Sequence, residues 1–428
     1  MIYAVALAIV LSSLGYMTFT LVLSRRKVPL PAVGAEPALF VFVVPALNEA
    51  AVIEATLSSL LAASRDRGRV LVIDDGSDDS TAEIINRLRQ SHETKLWVLT
   101  RSEPQARQGK GKALNDAYAT LLSKFSREGI DPASVVLGIV DADGRVEPDV
   151  LDHVAPYFRN PAVGAVQLLV RIRNREHLLT RFQDYEFMLF SALTQTAREH
   201  VGSVGLGGNG QFTRLAALST LGDAPWSECL TEDLDLGVRL AIAGWSNRFC
   251  GETFVDQQGL NSLPPLLRQR TRWAQGHFQC WRLIPRIVAS ELPTLTVLDL
   301  CYYLLAPAIS MAASILFTIP LLWGLVNLVV EPDRWLSPYW ATYLALLYVF
   351  SFTPSMLMSM IYWRRSRDIS FLHAILIGNL LAVYNYIWYL AQWKALGRII
   401  ARRGSWTKTN RTAEDEPLDQ IPVPKLSR

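Results

Sequence analysis

The chain has 428 residues, half of them hydrophobic and only 19% charged, with a mean hydropathy of +0.19. A soluble domain averages about 25% charged residues, which argues against both a wholly cytosolic enzyme and a disordered chain. The net charge of +3 is too small on this length to point to nucleic acid, whereas Lys and Arg gather beside apolar runs, as at a membrane face.

Ile2–Leu23 carries no charge and is followed directly by Arg25, Arg26 and Lys27. Its length suffices to cross a hydrocarbon core of about 30 Å. A cleaved leader has its basic residues before the apolar stretch. Here they come after it, so residues 1–24 read as an uncleaved anchor with the following chain on the cytoplasmic side. Residues 35–262 alternate strand-like runs (Phe40–Val44, Val70–Ile73, Lys95–Leu99, Val135–Val140) with helical, charge-bearing stretches. That alternation predicts a parallel α/β sheet with a ligand at the carboxyl ends of its strands. Residues 263–297 are basic and aromatic, as in interfacial helices. Residues 298–363 predict two transmembrane helices. Residues 364–411 begin with an apolar helix that either crosses the membrane or lies along its surface, and residues 412–428 predict a disordered tail. Cys229, Cys250, Cys280 and Cys301 form no CxxC pair or Cys/His cluster, so they read as reduced and structural.

Five short motifs carry chemistry. Asp74-Asp75-Gly76-Ser77 follows the second strand, where a nucleotide would bind, although an acidic turn capping the next helix explains it equally well. Gly109-Lys110-Gly111-Lys112 opens a helix and suits a diphosphate, because free N–H groups and positive charge converge there. Asp141 and Asp143 end an apolar strand, and alternate residues of an extended segment point the same way, so the two carboxylates can share one divalent ion. Thr231-Glu232-Asp233 puts carboxylates at a helix start, either as a general base or as a capping box. Gln269-Arg270-Thr271-Arg272-Trp273 lies in a basic amphipathic helix, with Gln269 and Arg272 on one face.

In this order and between membrane segments, the set resembles the membrane-bound family 2 glycosyltransferases, a group that includes the cellulose, hyaluronan, chitooligosaccharide and poly-N-acetylglucosamine synthases. The resemblance implies an α/β, Rossmann-like GT-A cytosolic domain plus an α-helical transmembrane region. It also implies an inverting enzyme that uses a UDP-sugar with Mg2+ or Mn2+. On its pattern Asp74, Asp75, Lys110, Asp141, Gln269 and Arg272 bind the nucleotide sugar, and Asp141 and Asp143 hold the metal. Asp233 is the base, with Glu232 beside it, and Trp273 meets the acceptor. Trp406–Arg411 is similar to a cytoplasmic gating segment. Gly208 and Asn209 lie in a Gly-Gly-Asn-Gly loop that departs from the polymer synthases and is assigned to the acceptor. The expected reaction is processive synthesis of a β-linked polysaccharide at the inner membrane by a multi-pass protein. Transfer of one sugar to a membrane lipid is the alternative, favoured by the loop and the small membrane region.

Overall fold

Strand β1 (Leu39–Ala46) is buried along almost its whole length. Its Phe40, Phe42 and Val44 face one layer of the core while Val41 and Val43 face the other, the alternation a pleated strand imposes. The computed structural model describes residues 2–30, 34–331, 333, 338–366 and 369–402. The Trp406–Arg411 segment and the tail beyond residue 411 therefore lie outside the described residues.

The remaining strands are β2 (Gly68–Asp74), β3 (Leu96–Thr100), β4 (Val135–Ile139), β5 (Arg145–Val146), β6 (Val163–Ile172), β7 (Gln211–Arg214) and β8 (Ser246–Gln257). They form one sheet in the order β3-β2-β1-β4-β7-β6-β8-β5. Its first four strands are parallel, as the sequence predicts, but β7 runs antiparallel between β4 and β6. The parallel sheet read from those four runs is thus one part of a mixed sheet. The chain enters β7 from the loop at residues 207–210, beside the carboxyl end of β4, and can only run back down it. Gly138 on β4 makes room for the Phe212 ring, which a Cβ there would meet at 2.7 Å.

Helix Ile53–Ser64 packs on one face of the sheet and helices Lys110–Glu128 and Glu232–Ile242 on the other. Helix Leu178–Leu189 continues through a π-helical turn, Phe190–Gln195, into Thr196–His200. Helix Leu263–Gln279 has Pro264 and Pro265 at its start, where their missing N–H groups do no harm.

Thr294–Val330 and Phe371–Ile400 are long and apolar enough to cross a membrane. The second stretch breaks at Asn385 into Phe371–Tyr384 and Tyr386–Ile400, and the latter packs along Leu263–Gln279. Polar contacts tie the helical region to the sheet domain. The Tyr362 hydroxyl donates to the buried Asp184 carboxylate at 3.0 Å, which Arg171 also holds at 2.9 and 3.0 Å. Tyr16 donates to Asp299 at 3.1 Å and Arg198 donates to it at 2.8 Å, which brings the N-terminal helix Ile2–Leu23 to Thr294–Val330. All four thiols are free.

Candidate active site

The carboxyl ends of β1, β2 and β4 open onto a cavity of about 780 Å3, with helix Leu263–Gln279 across from them. Eleven of the twelve residues singled out from sequence line it: Asp75, Lys110, Asp141, Asp143, Gly208, Asn209, Glu232, Asp233, Gln269, Arg272 and Trp273. Asp74 turns instead into its own loop, where its carboxylate accepts from the Ser77 N–H at 3.0 Å.

The loop after β2 is held by local bonds. Gly76 has φ +77°, a left-handed conformation that costs glycine little, and its carbonyl accepts from Arg107 at 2.7 Å. Asp75 pairs with Arg101, a buried residue directly after β3. Burial raises the Asp75 carboxyl against the pull of the Arg107 backbone N–H and the Arg101 guanidinium.

Lys110, at the start of its helix, donates to Asp141 at 2.5 Å and to the Gly208 carbonyl at 2.9 Å, and lies 3.8 Å from Glu232. Burial opposes its charge, but the Asp141 and Glu232 carboxylates outweigh that and raise it. Asp143 accepts from the Gln258 N–H at 3.1 Å and Arg173 donates to its carbonyl at 2.8 Å, so the strand end is fixed from two sides.

The Gly-Gly-Asn-Gly loop is packed into this lattice. Asn209 accepts from the Asp141 N–H at 3.1 Å and donates to Gln257 at 3.0 Å. The Gly208 N–H donates to the Asp233 carboxylate, whose other oxygen accepts from Leu234 N–H at 2.8 Å. A Cβ on Gly208 would come within 2.9 Å of the Lys110 ammonium and 3.1 Å of the Asp233 carboxylate. Burial pushes Glu232 up to about 7, opposed by Lys110 and helped by Asp233. Asp233 is raised for the same leading reason, against Lys110.

The opposite wall has a different character. Phe187, Phe190, His277, Tyr303, Trp388 and Gln392 complete the cavity beside Trp273. The sequence reading did not assign these residues to the site, because they are spread over several helical segments and carry no motif. Arg101 and Gln257 were missed too, although both stand at carboxyl ends of strands, where the topology rule directs attention.

Among the described residues, no group of three or more His, Cys, Asp and Glu side chains could hold a metal by itself. Asp141 and Asp143 do not share a face of an extended strand as expected, because β4 ends at Ile139 and the chain turns there, with the Gly144 N–H donating to the Asp141 carbonyl at 2.7 Å.

The family model described as "Glycosyltransferase like family 2" matches residues 37–276. The chain is 36% identical over 250 residues to the beta-monoglucosyldiacylglycerol synthase of Synechocystis sp., covering 56% of this chain and 49% of that one. It is 28% identical over 238 residues to the poly-beta-1,6-N-acetyl-D-glucosamine synthase of Staphylococcus aureus, covering 55% and 53%. It thus spans about half the length of these curated relatives. A solved mannosyltransferase from Pyrobaculum calidifontis, in complex with GDP-Man and Mn2+, shares the fold at 18% identity and a TM-score of 0.58, over 94% of this chain and 100% of that one. The sheet domain is a Rossmann-like GT-A core, joined to a helical C-terminal region. The family match takes in all five motifs in one stretch, and the chain belongs to the glycosyltransferase-like family 2.

Proposed function

We propose that the enzyme transfers a single sugar from a nucleoside-diphosphate donor, with inversion, to the hydroxyl of a membrane lipid such as diacylglycerol. One observation carries this reading. A second, apolar cavity of about 710 Å3 lies among helices Leu263–Gln279, Thr294–Val330 and Tyr386–Ile400, lined by Phe278, Trp281, Met311 and Trp393 among others. His277 and Phe278, Pro307 and Ala308, and Gln392 and Trp393 each contribute one residue to either cavity. Three helices thus form a wall shared by a charged space and an apolar one, which suits an acceptor with a polar head and acyl chains. The first cavity is of a size that takes one small ligand. The Synechocystis relative, named for a glucosyldiacylglycerol, supports the same reading.

In this proposal Asp75 meets the nucleoside, and Asp141 and Asp143 hold Mg2+ or Mn2+. Bound there, the ion would offset the charge that grows on the leaving diphosphate. Lys110, Gln269 and Arg272 supply donors for the same charge, preorganised before the glycosidic bond breaks. Asp233 takes the proton from the acceptor hydroxyl, which attacks the anomeric carbon from the face opposite the diphosphate and so inverts it. Glu232 sets the local field. The catalytic domain stands on the cytoplasmic side of the inner membrane, and Ile2–Leu23 together with the C-terminal helices anchors it.

Processive extension of a β-linked polysaccharide is the second reading. It is favoured by Gln269, Arg272 and Trp273 lining the same cavity. Membranes containing the enzyme, incubated with radiolabelled UDP-Glc, UDP-GlcNAc, UDP-GlcA or GDP-Man, separate the two. Organic-extractable label is the expected outcome. High-mass label that resists extraction overturns lipid transfer in favour of the polymer.

A further inference from the structure

We infer that Trp388 acts with Trp273 as a second aromatic wall of the acceptor subsite, and that the ion pair between the partly buried Glu186 and the fully buried Arg270 is the positioning device for both indoles. The inference rests on the lipid-transfer reading above.

Both indoles line the catalytic cavity. Their ring centroids are 6.4 Å apart, with the planes inclined at 33°. Trp273 sits on Leu263–Gln279 and Trp388 on Tyr386–Ile400, so their relation depends on how two distant helices are held. Arg270 is fully buried, and its guanidinium lies 4.2 Å from the Trp273 ring centroid and 5.3 Å from that of Trp388. It donates to Glu186 at 2.9 Å and to Gln269, itself a lining residue, at 2.7 Å.

Glu186 gathers the rest of the cluster. One of its carboxylate oxygens accepts from the Tyr384 hydroxyl at 2.7 Å as well as from Arg270, and the other accepts from the Trp388 indole N–H at 3.1 Å. Four separate elements, Leu178–Leu189, Leu263–Gln279, Phe371–Tyr384 and Tyr386–Ile400, therefore meet at one carboxylate.

A buried ion pair is weak evidence for stability, since packed apolar residues often do as well in its place. What this pair adds is orientation. The cation lies within cation–π reach of both rings, and the indole N–H of Trp388 is held by the anion. The donor side of the cavity supplies charge for a diphosphate. This side supplies two fixed, electron-rich faces, which suit a neutral acceptor presenting C–H groups around its hydroxyl, such as a glycerol backbone. Arg270 and Glu186 act through the indoles and are positioning residues.

The test uses the full chain, 1,2-dioleoylglycerol as acceptor, and the donor that supports lipid labelling. Trp388→Ala should raise the acceptor KM about 3- to 10-fold, the size of an aromatic contact, with the donor Kd unchanged. Trp388→Phe should recover only part of the loss, because a phenyl ring keeps the apolar face but has no N–H for Glu186 to hold. Arg270→Met should raise the acceptor KM to a similar degree although the residue does not line the cavity, and Arg270→Lys should recover it only in part, because an ammonium lacks the planar fork. An unchanged acceptor KM in Trp388→Ala overturns the inference. So does a donor Kd that weakens together with the acceptor KM, since that marks a general structural role. If the wild-type enzyme makes no lipid product with any donor, the transfer reading itself fails. The two failures are thus told apart by the wild-type control.

Discussion

The charged half and the aromatic half of the cavity, which we propose meet donor and acceptor, are built on opposite plans. Asp75, Lys110, Asp141 and Asp143 stand on loops at strand ends or at a helix start, each held by backbone groups or opposite charges a few ångströms away. Trp273, Trp388, Phe187 and Tyr303 come from separate helices and make a wall that carries little charge. On the proposed function, the difference follows from what each side would meet. A diphosphate needs fixed charges and N–H donors, and those are cheapest to place where a strand or helix ends with unpaired groups. An acceptor arriving from lipid needs a surface that takes apolar contact without losing its shape. Asp233 lines the same cavity, and the Gly208 N–H donates to its carboxylate.

Removing that carboxylate should have the largest effect. Asp233→Asn is expected to lower kcat by about 10²–10⁴, the contribution of a general base, while the donor Kd stays within twofold by calorimetry. Near-normal transfer in this variant would break the division of roles. Arg272→Met should lower kcat by about 10²–10³. Combined with Trp388→Ala, its effects on kcat/KM should multiply if the two halves are energetically independent. A combined loss well short of the product would show them to be coupled.

Gly208→Ala forces a Cβ against the Lys110 ammonium and the Asp233 carboxylate. A displacement of that kind should cost about 10- to 100-fold in kcat, with little change in melting temperature. The smallest effect concerns Glu232. Between the ordinary carboxylate range and about 7, the folded chain keeps a proton on Glu232 that the unfolded chain has released. Stability should therefore fall as pH rises through that window. Glu232→Gln removes the group, so its Tm should decline less than the wild type's between about pH 5 and pH 8, by scanning calorimetry. Parallel declines would assign the pH dependence to other groups.

The four parallel strands and the motifs at their ends were legible because each is a local pattern. A short apolar run specifies a strand, and the carboxylate or glycine that follows falls at its carboxyl end without further information. That accounts for Asp75, Asp141 and Asp143 lining one cavity, whereas Gly208, Asn209, Gln269, Arg272 and Trp273 were assigned through the family resemblance. Asp74 escapes the pattern because two adjacent carboxylates at a strand end point to opposite sides. Which one faces the ligand was decided by the Ser77 N–H, which took Asp74 for the turn.

By itself, then, the amino-acid order determined the charged half of the site, where each functional group lies within a few residues of the element that aims it. Only the tertiary structure decided the antiparallel return of β7, the contact between Gly208 and Asp233, and the aromatic wall centred on Glu186 and Arg270. These features depend on segments far apart in the chain. The hydrophobic pattern says that such helices are buried or lipid-facing, but it is silent on which side chains meet, because burial has no direction, while a hydrogen bond or a stacked ring does.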